Sequence, residues 1–256
     1  LLERALRNRR SRDEHAEGNA LGIRDFFARA PGLHAFLLRR LRTFDGGAAD
    51  GADGDAATGS LDQDVFALLL LLSKLVPSPT AQQAKADALD LDALVPLVRA
   101  CGTLRAHRAR VVASRALVPL VAPSSLPTVA LDLAAELPAR GGALRQNALH
   151  GTLLQLSALV GSAVDRAAAA AVPGAPPPAE LASTCASLLG ALERKLWLLD
   201  ASANPCATTR AALVRGIEAA LAGTGALDGG AGLRAALDAV GAPLRAVLAA
   251  VDSAAT

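Results

Sequence analysis

The sequence has no methionine and no tyrosine, and aromatic residues make up only 2% of its 256 residues. Aromatic and β-branched side chains are the ones that pack well on pleated sheets, so their scarcity argues against an all-β sandwich or barrel. Alanine and leucine dominate instead, and both favour helices. The 52% of hydrophobic residues provides enough apolar surface to fold, which excludes a disordered polymer. We therefore predict an all-α protein and, because no initiator methionine is present, a fragment of a longer chain.

Cysteines are few and far apart, at Cys101, Cys185 and Cys206. This odd number supports neither a disulfide framework nor a zinc site, and it predicts a reducing, cytoplasmic location. The longest uninterrupted apolar run, Val65 to Leu72, is too short to cross a bilayer, so no membrane association is predicted.

Catalytic and cofactor motifs are also missing from the sequence. There is no Gly-rich phosphate loop, no GxSxG elbow and no HExxH pair, and the four histidines never fall at metal-ligand spacing. We predict no catalytic residue, no metal and no cofactor. Cys206 is the one candidate nucleophile, and a cysteine packed in the core at a helix start explains it better.

Two segments of unusual composition divide the chain. Residues 45–60 consist almost entirely of Gly, Asp and Ala and predict a disordered loop, and residues 172–178 form a Pro-rich linker. The predicted organisation is a helical segment at 1–44, the loop at 45–60, a helical-repeat core at 61–171, the linker at 172–178 and C-terminal helical repeats at 179–256.

Apolar residues recur with a period near 3.6 between these breaks. The predicted helices are Ile23–Ala30, Leu33–Phe44, Asp62–Val76, Leu89–Ala100, Ala106–Val118, Ser124–Leu137, Ala143–Gly161, Ala179–Leu199, Cys206–Ala222, Leu233–Val240 and Pro243–Val251.

The string Leu-Val-Pro occurs three times, starting at Leu75, Leu94 and Leu117. The first and third copies start 42 residues apart, which is the period of HEAT and armadillo repeats. The predicted architecture is therefore a HEAT/armadillo-like α-solenoid of stacked helical hairpins.

Basic residues are concentrated in two zones that flank an acidic one. Residues 99–145 carry seven Lys and Arg against two acids, and residues 46–98 carry two against eight. Arg105, Arg108 and Arg115 follow a helical spacing that would align them on one stripe, as in a surface that tracks RNA phosphates. A solvated helix face, or pairing of Arg115 with an acid of a neighbouring repeat, is the alternative.

A second candidate contact lies in the segment from Arg145 to Leu156. Asn147 and His150 are polar residues on a helix whose other face is apolar. Together with Arg145 they are candidates for contact with RNA or a partner. The alternative is that both side chains are enclosed by the next repeat and hydrogen-bond to neighbouring helix ends.

Several long strings of this sequence resemble the thyroid adenoma-associated protein family, over roughly residues 11–214. The strings are RDEHAEGNALGIRDFFARAPGLHAFLLRRL, FALLLLLSKLVPSP, SRALVPLV, LRQNALHGTLLQL and KLWLLDASANPCATTR. The family's motif Arg-Arg-Ser-Ala-Gly-Leu-Pro is missing, since Arg9-Arg10-Ser11 continues with Arg-Asp-Glu. The chain therefore resembles the segment that follows the family's conserved central domain.

The resemblance implies a large helical-repeat solenoid without methyltransferase activity. It implies a partner, a separate tRNA 2'-O-methyltransferase catalytic subunit that carries S-adenosylmethionine and methylates the ribose of the first anticodon-loop nucleotide. We therefore expect a non-catalytic scaffold that positions tRNA for this subunit. The alternative is a generic helical-repeat interaction module that binds no RNA.

Overall fold

The computed structural model describes residues 22–43, 57–77, 89–168 and 178–225, which contain nine α-helices. They are α1 (Ile23–Arg29), α2 (Pro31–Thr43), α3 (Ala57–Leu72), α4 (Leu94–Ala100), α5 (His107–Leu117), α6 (Leu126–Ala135), α7 (Gln146–Ala168), α8 (Pro178–Glu193) and α9 (Ala207–Gly225).

From α2 onward the helices pair into four consecutive hairpins and stack in two layers. Helices α3, α5, α7 and α9 pack side by side in one layer, which we call layer B. Helices α2, α4, α6 and α8 form the opposite layer, layer A, and each packs against the layer B helix that follows it. Each hairpin buries its apolar faces only when its neighbours are present, which is the logic of a helical-repeat solenoid.

The core is mainly aliphatic and runs continuously between the two layers. In α7 the predicted apolar face is confirmed, since Leu149, Leu153, Leu156 and Val160 are all buried. Each such side chain contributes about 1.5–3 kcal/mol when it is withdrawn from water. The repeated amphipathic pattern is therefore what holds successive hairpins together.

Two of the three Leu-Val-Pro copies occupy equivalent positions. The copy at Leu75 follows the end of α3, and the copy at Leu117 spans the end of α5, so both close helices of layer B. Proline cannot continue a helix because it lacks an amide hydrogen and clashes with the preceding turn. The copy at Leu94 instead begins α4 in layer A and is not part of this repeat.

Several boundaries differ from those predicted. Helix α3 begins at Ala57, so the last four residues of the predicted loop at 45–60 are helical. Pro178 begins α8 instead of ending the linker, because proline is tolerated in the first turn of a helix. Helix α7 runs seven residues beyond the predicted Gly161.

Two further helices differ in length from those predicted. Helix α8 ends at Glu193, and a separate 3-10 helix, Leu196–Leu199, follows where a continuous helix was predicted. Helix α4 begins at Leu94, five residues after the predicted Leu89. The predicted helices Leu233–Val240 and Pro243–Val251, and residues 44–56 and 169–177, lie outside the described residues.

Layer B approaches the turn after α4 so closely that only glycine fits at the contact. A Cβ atom on Gly151 of α7 would overlap the backbone carbonyl of Gly102, and one on Gly102 would meet the side chain of Gln155. The Gln155 side chain in turn donates to the carbonyl of Arg99 at 3.1 Å, which ties α7 to the end of α4.

Within the described part of the chain, no single helix has both the length and the apolar character needed to span a membrane. One pair of helices, His107–Leu120 and Pro123–Ala135, reaches these limits only in combination and is bent by 112° at its break.

Candidate functional site

The starts of three layer B helices meet at one edge of the solenoid. Hydrogen bonds join the first turns of α5 and α7, and others join the first turn of α7 to the start of α9. We call this region the helix-start edge and define it as residues 104–110, 144–150 and 204–210. Helix starts carry partial positive charge from unpaired amide groups, so the edge favours anions.

Arg110 lies at the centre of this edge and is only 7% exposed. Its Nη1 donates to the carbonyl oxygens of Leu104 and Arg105 at 2.6 and 2.8 Å and to Oδ1 of Asn147 at 3.0 Å. Its Nε donates to Nδ1 of His150 at 3.1 Å. None of these acceptors is a carboxylate, so the buried guanidinium keeps its positive charge without a formal counter-ion among the described residues.

Electrostatics around Arg110 reflect this lack of a counter-ion. Burial lowers the pKa of Arg110, because removing water disfavours the charged form, and Cys206 acts in the opposite direction. An arginine nonetheless remains protonated at physiological pH. Arg110 is therefore a fixed, oriented and buried positive charge.

Arg110 was not among the site residues predicted from the sequence. It shares the spacing i, i+3, i+7 with Ala113 and Leu117, which are both fully buried, so a charged residue stands within the apolar face of α5. A charge in an apolar face is the signal that could have identified it, because such a residue must find partners when it is buried.

His150 is enclosed, with 2% of its surface exposed. Its Nδ1 accepts the hydrogen bond from Arg110, so the ring proton belongs on Nε2, and this atom has no partner in the part of the chain that the structure describes. The ring of His107 stacks on it at a centroid distance of 5.3 Å. Burial, and then the charges of Arg110, His107 and Arg215, lower the pKa of His150 to about 4, so it is neutral at pH 7.

Asn147 does not share this enclosure. The prediction that the next repeat encloses both Asn147 and His150 is right for His150 and wrong for Asn147, which is exposed. Both side chains bond to the Arg110 side chain and not to a neighbouring helix end.

A second network holds the segment that leads into α9. Nε2 of Gln146 donates to Oδ1 of the fully buried Asn204 at 3.0 Å, and Thr209 donates to Oε1 of Gln146 at 3.1 Å. Asn204 donates in turn to the carbonyl of Leu198. These bonds fix the position of Cys206 relative to α7.

Cys206 is half-buried, so the expectation that it packs in the core is wrong. Its sulfur lies 3.0 Å from the hydroxyl of Thr208. Hydrogen bonds from Thr208 and Thr209 lower the pKa of Cys206 to about 7. No histidine or carboxylate of the described residues hydrogen-bonds to this sulfur, so the thiol has no general base beside it.

The arginines of the predicted stripe are separated by the structure. Arg105 lies in the turn before α5, and Arg108 is exposed in the first turn of α5. Arg115 is exposed in the last turn of α5, at the opposite edge of the solenoid, and has no ion pair with a described residue. The three side chains therefore do not form a continuous stripe, because only two of them reach the helix-start edge.

Arg145 lies immediately before α7 and lines a cleft of about 520 Å³ between the second and third hairpins. The ends of α4 and α6 contribute Arg99 and Glu136, which form an ion pair with each other. Thr103 and Thr152 add hydroxyl groups to its wall. The cleft opens beside the helix-start edge, where chain turns connect layer A to layer B.

The described residues contain no group of three or more histidine, cysteine or acidic side chains placed to hold a metal ion. What the helix-start edge offers is a set of fixed hydrogen-bond donors and positive charges. Such an arrangement binds anionic groups.

Comparison with known proteins identifies the family. The sequence model of the family described as Trm732, C-terminal TPR repeats, matches residues 1–159 of the 256. TPR repeats, like the HEAT and armadillo repeats predicted from the sequence, are stacked helical hairpins, so the predicted helical-repeat solenoid is confirmed. No solved structure gives a significant match.

Curated relatives match a longer part of the chain. Proteins named tRNA (32-2'-O)-methyltransferase regulator THADA from Homo sapiens and Chlorocebus aethiops are each 32% identical over 215 residues, and the one from Canis lupus familiaris is 33% identical. Each match covers 84% of this chain and 10% of the relative, so the chain spans about a tenth of the relatives' length. The resemblance to the thyroid adenoma-associated protein family is thereby confirmed, and the chain belongs to the THADA family, with the Trm732 C-terminal TPR repeats.

Proposed function

We propose that this protein is a non-catalytic regulator that supports ribose 2'-O-methylation of tRNA at position 32 by a separate methyltransferase subunit. The observation that carries the proposal is the match over 84% of the chain to proteins named as regulators of that methyltransferase. In this proposal the catalytic subunit binds S-adenosylmethionine and the complex works in the cytoplasm.

A scaffold can accelerate methyl transfer without acid or base groups of its own. Holding the ribose hydroxyl close to the methyl donor replaces a bimolecular encounter by an arranged one, which can contribute several kcal/mol, up to about 7–11 kcal/mol in favourable cases. A rigid solenoid suits this task because its hairpins fix surface groups over a long distance.

The helix-start edge supports contact with tRNA. Its three segments contain five arginines and no aspartate or glutamate, and three helices point their positively polarised ends towards it. RNA carries one negative charge per nucleotide, so such an edge attracts the phosphate backbone.

The second candidate function is a protein-interaction module without RNA binding. The cleft lined by Arg99, Glu136 and Arg145 favours it, because its lining combines apolar side chains with paired charges, as ligand-binding grooves do. The salt dependence of binding affinity distinguishes the two functions. Affinity for tRNA falls steeply with rising salt when phosphates are contacted, and binding of a neutral peptide does not.

The proposed function is tested in the cells in which the gene occurs. Ribose methylation at tRNA position 32 is mapped before and after deletion of the gene, and again after its re-expression. We expect the modification to disappear and return, and the methyltransferase subunit to co-purify with the tagged protein. Unchanged methylation after deletion contradicts the proposal, as does methyl transfer to tRNA by the purified chain alone.

A further inference from the structure

Arg110 has one hydrogen-bonding nitrogen left over. Its Nε and Nη1 meet four acceptors, which fix the plane of the guanidinium. Its Nη2 has no hydrogen-bond acceptor among the described residues. This atom is also absent from the fully enclosed polar atoms that lack a partner, so it keeps some exposure. A buried arginine therefore presents a single donor nitrogen outward from a rigid support.

No carboxylate among the described residues hydrogen-bonds to the Arg110 side chain. The group of acidic character that acts on the charge of Arg110 is the thiol of Cys206, at the start of α9. The charges of Arg110 and Arg215 both act on the neighbouring ring of His150, on which the ring of His107 stacks. The enclosed Nε2 of His150 is a second donor that finds no acceptor in the described segments. A buried donor without an acceptor is uncommon in a folded protein and calls for a partner such as an ordered water, an ion or a ligand.

We propose that Arg110 forms the binding site for one phosphate group of an RNA backbone. This phosphate site lies between the starts of α5, α7 and α9. The assignment rests on the proposed function for the identity of the RNA as tRNA. In this arrangement Nη2 donates to a phosphate oxygen, and Asn147 holds the guanidinium in place through Nη1. The exposed arginines of the helix-start edge contact the phosphates on either side.

A phosphate fits the edge better than a partner's carboxylate does. The five arginines of the edge are spread over three segments, at Arg105, Arg108, Arg110, Arg145 and Arg210. A single carboxylate contacts one positive charge, whereas the phosphates of a polyanion contact several charges in sequence. The cost of burying Arg110 without an acid is then offset in the complex, where its charge-assisted hydrogen bond forms.

Asn147→Asp is the discriminating variant. It is nearly isosteric, at an exposed position, and it places a carboxylate 3.0 Å from Nη1 of Arg110. A built-in counter-ion should leave the melting temperature unchanged or raise it, and should reduce tRNA affinity of the full chain about tenfold or more. Arg115→Gln is the matched control, because it changes the net charge by the same amount at the opposite edge.

A second variant, Arg110→Gln, has a readout that loss of folding alone does not produce. Losing one phosphate contact should reduce the slope of log affinity against log salt by about 0.7. Alkylation of Cys206 by iodoacetamide reports on the same place, and bound tRNA should slow it in the parent chain. In Asn147→Asp, at the same tRNA concentration, this protection should be lost.

Each outcome decides the proposal. If Asn147→Asp and Arg115→Gln weaken tRNA binding equally, or Asn147→Asp does not weaken it, the phosphate site is refuted. If Asn147→Asp leaves tRNA binding unchanged but abolishes capture of the methyltransferase subunit, the site at Arg110 binds a carboxylate of that subunit instead of a phosphate. Protection of Cys206 by inorganic phosphate with no effect of tRNA would identify a small-anion site and overturn the RNA assignment.

Methylation in cells and tRNA binding by the variants test the proposed function and the Arg110 phosphate site separately. If methylation depends on the gene but Asn147→Asp does not change tRNA binding, the proposed function holds and the phosphate site is refuted. If methylation is independent of the gene but tRNA binding requires Arg110, the phosphate site holds and the proposed function is refuted.

Discussion

His150 shows how one side chain can hold two helices in register. Its Nδ1 accepts the hydrogen bond from Nε of Arg110, so it connects α7 to α5 through a fully enclosed contact. We expect His150→Ala to reduce the free energy of unfolding by about 1–3 kcal/mol, because the buried Nε of Arg110 loses its acceptor. Urea unfolding measures this change. Ser157→Ala, at a half-buried position of the same helix, is the control. An unchanged urea midpoint for His150→Ala would show that the hydrogen bond between His150 and Arg110 does not stabilise the fold.

The pH dependence of stability follows from the same histidine. The folded chain resists protonation of His150, whose pKa is lowered to about 4, whereas the unfolded chain accepts a proton near pH 6.5. Below pH 6.5 the unfolded state therefore binds more protons, and stability falls as the pH drops towards 4 by up to about 1.4 kcal/mol per pH unit. His150→Gln should lose this part of the dependence in urea unfolding at pH 7 and pH 5. Equal losses in parent and variant would assign the effect to other groups.

The three cysteines should react at very different rates. Burial raises the pKa of Cys101 to about 12 and that of Cys185 to about 11, whereas that of Cys206 is lowered to about 7. Because the thiolate is the nucleophile, native chain at pH 7.5 should be alkylated at Cys206 first. Peptide mapping by mass spectrometry checks the order. Prior labelling of Cys101 or Cys185 would show that the start of α9 is misplaced.

Single residues were the hardest level to predict from sequence. The enclosure of His150 follows from its position on an amphipathic helix, and this was predictable. Asn147 lies three residues earlier and is exposed, because the helix has only just begun and no hairpin covers it. Arg110 could not be assigned a role, since its partners Leu104, Asn147 and His150 are brought to it by two different turns.

The contact between α7 and the turn after α4 is set at the level of whole elements. Gly151 allows the backbones to touch, so Gly151→Ala must push α7 away from Gly102 or distort the turn. We expect a loss of about 1–3 kcal/mol in the free energy of unfolding. Gly161→Ala in the same helix is the control, because a Cβ there meets nothing within 4 Å. It should be neutral or stabilise by up to about 1 kcal/mol through helix propensity, and similar effects of the two changes would contradict the packing described here.

Helices were predictable as elements because their apolar period is independent of their neighbours. Helix α5 differs from its prediction by one residue at each end. The errors fall where tertiary packing decides, as at Glu193, where α8 stops and Lys195 instead turns to donate to the carbonyls of Leu137 and Pro138. No local pattern signals a side chain that reaches across to the preceding hairpin.

For the whole molecule, the solenoid followed from composition, period and repeat, but the location of its functional edge did not. The helical spacing of Arg105, Arg108 and Arg115 suggested one surface, yet α5 begins only at His107 and Arg115 faces the other edge. The edge is defined instead by where three turns bring the starts of α5, α7 and α9 together. That depends on how consecutive hairpins stack, which the local sequence does not encode.

Crosslinking tests most directly the claim that the helix-start edge contacts tRNA. The chain is irradiated with ultraviolet light in complex with tRNA, and the crosslinked peptides are mapped by mass spectrometry. We expect crosslinks within residues 104–110, 144–150 and 204–210, and their loss at high salt. Crosslinks concentrated at the opposite edge, around Arg115 and the end of α7, would show that tRNA binds elsewhere.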